Sequence, residues 1–115
     1  MAHCLGETEW QSGWRIQGDL TMGEVISLSQ SLIKFINMTP DPPFDLRNYP
    51  NAAGCGGVGV QLYQPLTESW IVIGTWPQHG FFRINLSSCK PYDFGATTSW
   101  LGRFGKVLRS FNYPL

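Results

Sequence analysis

Val58-Gly59-Val60-Gln61-Leu62-Tyr63, Trp70-Ile71-Val72-Ile73 and Phe81-Phe82-Arg83-Ile84-Asn85-Leu86 are the stretches that decide the fold. Val58, Val60 and Leu62 alternate with Gly59, Gln61 and Tyr63, and Phe82, Ile84 and Leu86 alternate with Phe81, Arg83 and Asn85. A period of two residues places alternate side chains on opposite faces, the pattern of strands with one buried side. Pro65 to Glu68 and Pro77 to Gly80 are turn-forming stretches between the runs. Three short strands joined by tight turns make an antiparallel meander.

Upstream, Trp14, Ile16, Gly18 and Leu20 alternate with Arg15, Gln17 and Asp19, which predicts another strand, preceded by a polar arm over residues 1–12. Thr21 followed by Glu24 is a capping-box spacing and predicts a helix start. Met22, Val25, Ile26, Leu32, Ile33 and Ile36, with the small Ser29 on the same stripe, recur at helical spacing. From Asn37 to Gly57 the prolines at 40, 42, 43 and 50 remove backbone donors and leave a loop with at most a short edge strand. So long an irregular segment is expected to be a functional wall or an interface element.

Downstream, Pro91 to Gly95 reads as a loop. Trp100, Leu101, Phe104, Val107, Leu108 and Phe111 read as one face of a last helix whose wet side carries Arg103, Lys106 and Arg109. The order β, α, β, β, β, α implies an α/β two-layer sandwich: a mainly antiparallel sheet with two helices on one face, in a single domain spanning residues 1–115. The uncovered face would carry aromatics and short aliphatics, and is expected to meet another sheet or subunit.

Eight basic and eight acidic residues balance to a net charge of zero, so nothing in the overall charge is built to hold nucleic acid. Six acids and three bases precede Val58, and two acids and five bases follow Gly57, which leaves opposite signs on the two halves. Charged residues are 14% of the chain, aromatics are 14%, and there are five tryptophans. That balance predicts an ordered domain that self-associates as a homo-oligomer or serves as a subunit of a protein complex. Three cysteines at 4, 55 and 89 cannot all pair within one chain, which predicts a reduced, cytoplasmic setting. No run reaches the roughly 20 apolar residues of a transmembrane helix, and the N-terminus lacks a signal-peptide pattern.

Gly54-Cys55-Gly56-Gly57-Val58-Gly59 spells a GxGxxG pattern, but a strand follows it rather than a helix whose N-terminus could take a phosphate. His3, His79 and the cysteines lack metal-ligand spacing, so no metal is expected. No GxSxG elbow supports a hydrolytic serine.

The block Thr67-Glu68-Ser69-Trp70-Ile71-Val72-Ile73-Gly74-Thr75-Trp76-Pro77-Gln78-His79-Gly80-Phe81, followed by Cys89, carries the chemistry. Here the sequence resembles the bacterial and archaeal S-adenosylmethionine decarboxylases. Glu68-Ser69, Thr75-Trp76-Pro77, Gly80 and Cys89, twenty residues after the serine, stand in register with that family's pattern over residues 57 to 90. The resemblance implies that the Glu68-Ser69 peptide undergoes an N→O acyl shift and that Ser69 becomes a pyruvoyl cofactor. This electron sink serves the decarboxylation of S-adenosylmethionine for polyamine synthesis. It also implies that Glu68 becomes a new carboxyl terminus and that Cys89 reprotonates the product carbon. Trp70 and Trp76 are candidates to stack on the substrate's adenine.

Two positions depart from the family pattern. Gly74 stands where the family has the histidine that helps the ester eliminate, and Gln78 replaces a glutamate. The family also continues beyond the last helix into a further strand, which the helical reading of residues 100–111 leaves no room for. The expectation is therefore a decarboxylase-like protein with weak or lost activity. The alternative is an unprocessed, non-catalytic structural or binding subunit of a larger assembly. An imidazole restored at position 74 is expected to bring slow cleavage.

Overall fold

The computed structural model describes residues 8–50 and 58–115. The reading of residues 1–7 as part of an arm and the glycines at 54, 56 and 57 lie outside the described residues.

The elements are β1 (Trp10–Gln17), α1 (Met22–Phe35), β2 (Asp45–Pro50), β3 (Val58–Leu66), β4 (Ser69–Trp76), β5 (Phe81–Ser88), α2 (Phe94–Leu101) and β6 (Val107–Pro114). They build a six-stranded sheet in the order β2-β3-β4-β5-β1-β6, with each neighbouring pair antiparallel. The meander β3-β4-β5 forms as the alternation predicts. Its β3 strand runs on to Leu66, so only Thr67 and Glu68 make the first turn.

Both helices cover one face. There Trp14, Ile16, Leu62, Ile71, Ile73, Phe82, Ile84 and Leu86 are buried against Val25, Leu28, Leu32 and Ile33 of α1. The predicted cap is present: Thr21 Oγ1 accepts from Glu24 N at 3.2 Å, and Glu24 Oε1 accepts from Thr21 N at 2.9 Å. The hydrogen bond from the Thr21 backbone holds the Glu24 carboxyl below its usual value. α1 ends as Met38 N reaches back to Ile33 O, and Asn37 takes a left-handed turn at φ 57°, which asparagine tolerates. Trp14 ties β1 to α2 by donating from Nε1 to Thr98 Oγ1 at 2.9 Å and stacking on Phe94. Phe35 stacks on Trp100 and joins the two helices.

The C-terminal reading is corrected. The last helix is Phe94–Leu101, partly inside the stretch read as a loop, and residues 107–114 are a strand beside β1. Asp93 caps this helix by accepting from Ala96 N, and Gly102 closes it. Arg103, Lys106 and Arg109 are therefore not on a helix; Arg109 lies on β6, opposite Arg15. The further strand beyond the helix is present. The polar arm is shorter than expected, because β1 begins at Trp10.

Candidate active site

The β3–β4 hairpin places Glu68 and Ser69 at one end of the sheet. Leu66 pairs with Ser69, so Glu68 occupies the second position of a two-residue turn, and Ser69 faces Ser88 of β5. Ser69 has φ 154°, a positive value rare for a residue with a side chain. Such a backbone stores on the order of 1–3 kcal/mol, held in place by its surroundings.

Those surroundings come from both sides. Cys89 N donates to the Glu68 carbonyl oxygen at 3.1 Å, and Cys89 Sγ lies 3.2 Å from the same oxygen. On the other side, Glu68 Oε1 accepts from Thr39 N at 3.0 Å, and Thr67 N donates to Thr39 O. Asp41 N donates to Pro65 O, and Pro40 bridges to Leu66. The segment after α1 is thus strapped onto the hairpin, which gives the proline-rich stretch a structural role. Lys90 Nζ donates to Asn37 O and closes the same corner.

Behind this strap lies a cleft of about 470 Å³ between the end of α1 and the proline-rich segment, lined in part by Lys34, Met38, Pro42, Phe44 and Gln64. Gln64 is buried, and its Nε2 donates to the carbonyls of Asp41 and Pro65. The volume is in the range of sites for small organic ligands, roughly 300–1,000 Å³. Asn37 and Pro40 belong to the cleft wall, and Thr39 between them holds Glu68, so the wall and the junction share one backbone segment.

Glu68, Ser69 and Cys89 are therefore brought together. Cys89 is disulfide-bonded, so its sulfur carries no thiol proton in this state and its approach to the Glu68 carbonyl is a contact rather than a thiol hydrogen bond. This runs against the reduced setting read from the odd cysteine count. The other two cysteines, Cys4 and Cys55, lie outside the described residues.

The tryptophans do not converge. Trp70 is the second residue of β4, beside the junction, whereas Trp76 ends the strand six residues later, about 20 Å away at a strand's rise of roughly 3.4 Å per residue. Gly74 is likewise about 17 Å from Ser69 along the strand by the same rise. A Cβ at position 74 would lie 2.8 Å from the Trp76 ring, which folds over the strand there. An imidazole at 74 is therefore blocked locally and distant from Ser69 of its own chain, which corrects the expectation that it would bring slow cleavage. Gln78 and His79 sit in the 3₁₀ turn Pro77–His79 at that same far end, with His79 stacked on Phe81.

Sequence reasoning missed Thr39, Asn37 and Lys90, whose only signal was the unexplained length of the proline-rich segment. Among the described residues, no group of three histidine, cysteine or acidic side chains is placed to hold a metal. No described helix is long and apolar enough to cross a membrane.

No protein-family model matches the chain, and no curated protein does. Among solved structures, the adenosylmethionine decarboxylase from Aquifex aeolicus is similar, with a TM-score of 0.64 at 16% identity over 94% of this chain and 88% of that one. The α/β sandwich described above is thus similar in fold to that adenosylmethionine decarboxylase, at low sequence identity.

Proposed function

We propose that this chain is an S-adenosylmethionine decarboxylase-like protein whose reaction centre is the Glu68-Ser69 junction, with turnover weak or lost. The observation that carries this reading is the strained Ser69 directly after a carbonyl held by Cys89 N–H. In an acyl shift, Ser69 Oγ bonds to the Glu68 carbonyl carbon, its proton passes to the Ser69 nitrogen, the C–N bond breaks, and the peptide becomes an ester with a free amine. The tetrahedral stage puts negative charge on the Glu68 oxygen, where the Cys89 N–H already points, the arrangement of an oxyanion hole. Strain at Ser69 favours leaving the planar peptide, because the shift relaxes a conformation its side chain disfavours.

The ester must then eliminate. A base has to take the Ser69 Cα proton while the Glu68 carboxylate leaves, and His79, the one histidine among the described residues, sits in the turn at the far end of β4. General acid–base groups contribute on the order of 10²–10⁴ in rate, so the shift is predicted to stall before chain scission. Elimination leaves a dehydroalanine at position 69, which water hydrolyses with loss of ammonia; the pyruvoyl group so formed would supply an electron sink for decarboxylation, with Glu68 as the new carboxyl terminus. The cleft behind the Asn37–Pro40 strap is the proposed substrate site for S-adenosylmethionine; Trp70 is beside the junction on β4 but does not line that cleft. Cys89 is the proposed proton donor to product in its reduced form alone, so oxidation silences that step.

A second reading is an uncleaved, non-catalytic subunit, a homo-oligomer or part of a larger assembly. The Trp76 ring filling the space above Gly74 and the disulfide at Cys89 favour it. Denaturing mass spectrometry before and after reduction separates the two. One species of about 12.9 kDa is expected as isolated. Fragments split before Ser69, the shorter beginning with a pyruvoyl group, together with carbon dioxide release from S-adenosylmethionine, would establish the working enzyme. An uncut chain that stays inactive after reduction would establish the subunit.

A further inference from the structure

The sheet has two edge strands, β2 and β6, and they are built differently. β2 is guarded: Asp45 and Arg47 form an exposed ion pair along it, and Pro50 ends it. Charges and prolines of this kind keep an edge from pairing with another chain. β6 carries Arg109 as its one charge. Its interruptions lie at its ends, where the register to β1 slips and leaves Leu108 as an extra, bulged residue, and where Pro114 lacks an N–H. Between them Arg109–Tyr113 is a regular strand with Phe111 and Tyr113 42% and 48% exposed.

What this edge offers follows from its pairing with β1. Leu115 N donates to Glu9 O, and the register sets Leu115 opposite Glu9, so the two are a bonded pair. Bonded and non-bonded pairs alternate along an antiparallel ladder, so Tyr113, Phe111 and Arg109 turn their N–H and C=O groups inward to β1. Ser110 and Asn112 turn theirs outward, one residue to either side of Phe111.

We propose that a second copy of this chain pairs with this edge, β6 antiparallel to β6, with the two-fold axis at Phe111. In that register Ser110 meets Asn112 of the partner subunit, and each such pair exchanges both backbone bonds, which satisfies the outward groups of the stretch. Phe111 meets Phe111 of the partner subunit in the closer, non-bonded position and extends the stack that it makes with Tyr113 of its own chain, 5.3 Å between centroids. An axis at Ser110 would set Asn112 against the bulged Leu108, and an axis at Asn112 would set Ser110 against Pro114, which has no N–H to return.

The same register meets a difficulty on the open face. Arg83, Arg15 and Arg109 stand side by side there on β5, β1 and β6, and like charges directly opposite one another destabilise a sheet. With the axis at Phe111, Arg109 faces Tyr113 of the partner subunit, so the row ends against an aromatic ring rather than on a further arginine. The chain's net charge of zero adds no repulsion between copies. The contact is isologous and closes on itself, and the guarded β2 edge offers no continuation, so pairing through edges stops at a dimer. It holds whether or not the Glu68-Ser69 bond is cut.

The test is sedimentation equilibrium of the full chain from low to high micromolar concentration. A reversible equilibrium between the 12.9 kDa chain and its dimer is expected, with a Kd in the micromolar range. Ser110→Pro removes an outward donor and leaves the ladder to β1 intact; it is expected to weaken the dimer roughly tenfold or more, since both copies lose a bond. Phe111→Lys sets lysine against lysine at the axis and is expected to give a monomer, and it decides the matter should Ser110→Pro fail to fold by circular dichroism. Val72→Lys, on the open face of β4, is expected to dimerise as the unaltered protein does. A monomer throughout, or a dimer that Val72→Lys weakens as much as Phe111→Lys or more, would overturn the proposal.

Discussion

Phe82 and Arg83 are consecutive on β5, yet one is fully buried beneath the helices and the other is exposed on the open face. The covered face is aliphatic and aromatic, closed by α1 and α2, and its polar groups are satisfied locally, as with Trp14 and Thr98. The open face carries Trp76, Phe81 and Phe111 interleaved with arginines, with none of the described elements laid over it. One face therefore holds the fold together, while the other tolerates an arrangement that works against it.

The sharpest way to break this division is to truncate the two neighbours. Phe82→Ala is expected to destabilise by about 3–5 kcal/mol, the range for emptying a packed aromatic site. Arg83→Ala should stay within about 1 kcal/mol, because the loss of its contact with Trp76 is offset by relief of the repulsion from Arg15. Urea unfolding of both variants measures the difference. Similar losses would show that the open face is part of the structural core.

Gly74→His probes the same contrast where chemistry was expected. Forcing a side chain under Trp76 is expected to destabilise by about 1–3 kcal/mol, as overpacking does, and to leave Glu68-Ser69 uncut. Mass spectrometry over several days checks this, with Gly74→His plus Ser69→Ala as the uncleavable control. Scission in the first variant alone would mean that position 74 reaches a junction after all, from another chain.

The smallest effect concerns Tyr92, a half-buried phenol hydrogen-bonded to Ser12 of β1. Burial raises its pKa well above the ordinary value of 10.0. The folded state thus keeps the proton that the unfolded state loses first, so stability is intact below pH about 10 and falls as pH rises beyond it. Tyr92→Phe is expected to flatten that part of the profile and to cost about 1 kcal/mol at neutral pH from the lost hydrogen bond. Urea midpoints between pH 8 and 11 provide the comparison. An unchanged slope would place the alkaline sensitivity elsewhere.

The legible parts of the fold were those written locally. Thr21 and Glu24 announce a helix within four residues, and Phe82, Ile84 and Leu86 announce a strand by alternation alone. The C-terminal region misled because Trp100, Leu101, Phe104, Val107, Leu108 and Phe111 keep a helical period by accident across a boundary. Gly102 and Gly105 marked that boundary; the latter has φ 156°, a conformation at which helices do not continue. At the candidate site, the β4–β5 hairpin brings Ser69 and Cys89 to one sheet end, a proximity that alternation alone does not announce. What periodicity could not convey was which residues lie across the sheet from one another. The row of Arg15, Arg83 and Arg109 exists only once β1 is inserted between β5 and β6.

That insertion has a consequence for the order in which the molecule assembles. β3, β4 and β5 are sequential hairpins and can pair as they emerge, whereas both partners of β1 are encoded far downstream. At about 5–20 residues per second of synthesis, β1 waits roughly 3–13 seconds for β5. Through that interval Trp14 and Ile16 lack the sheet that buries them. Closure of the fold is a long-range event, of the kind that slows folding through its loop entropy. The first of the described strands to be made is among the last to be paired.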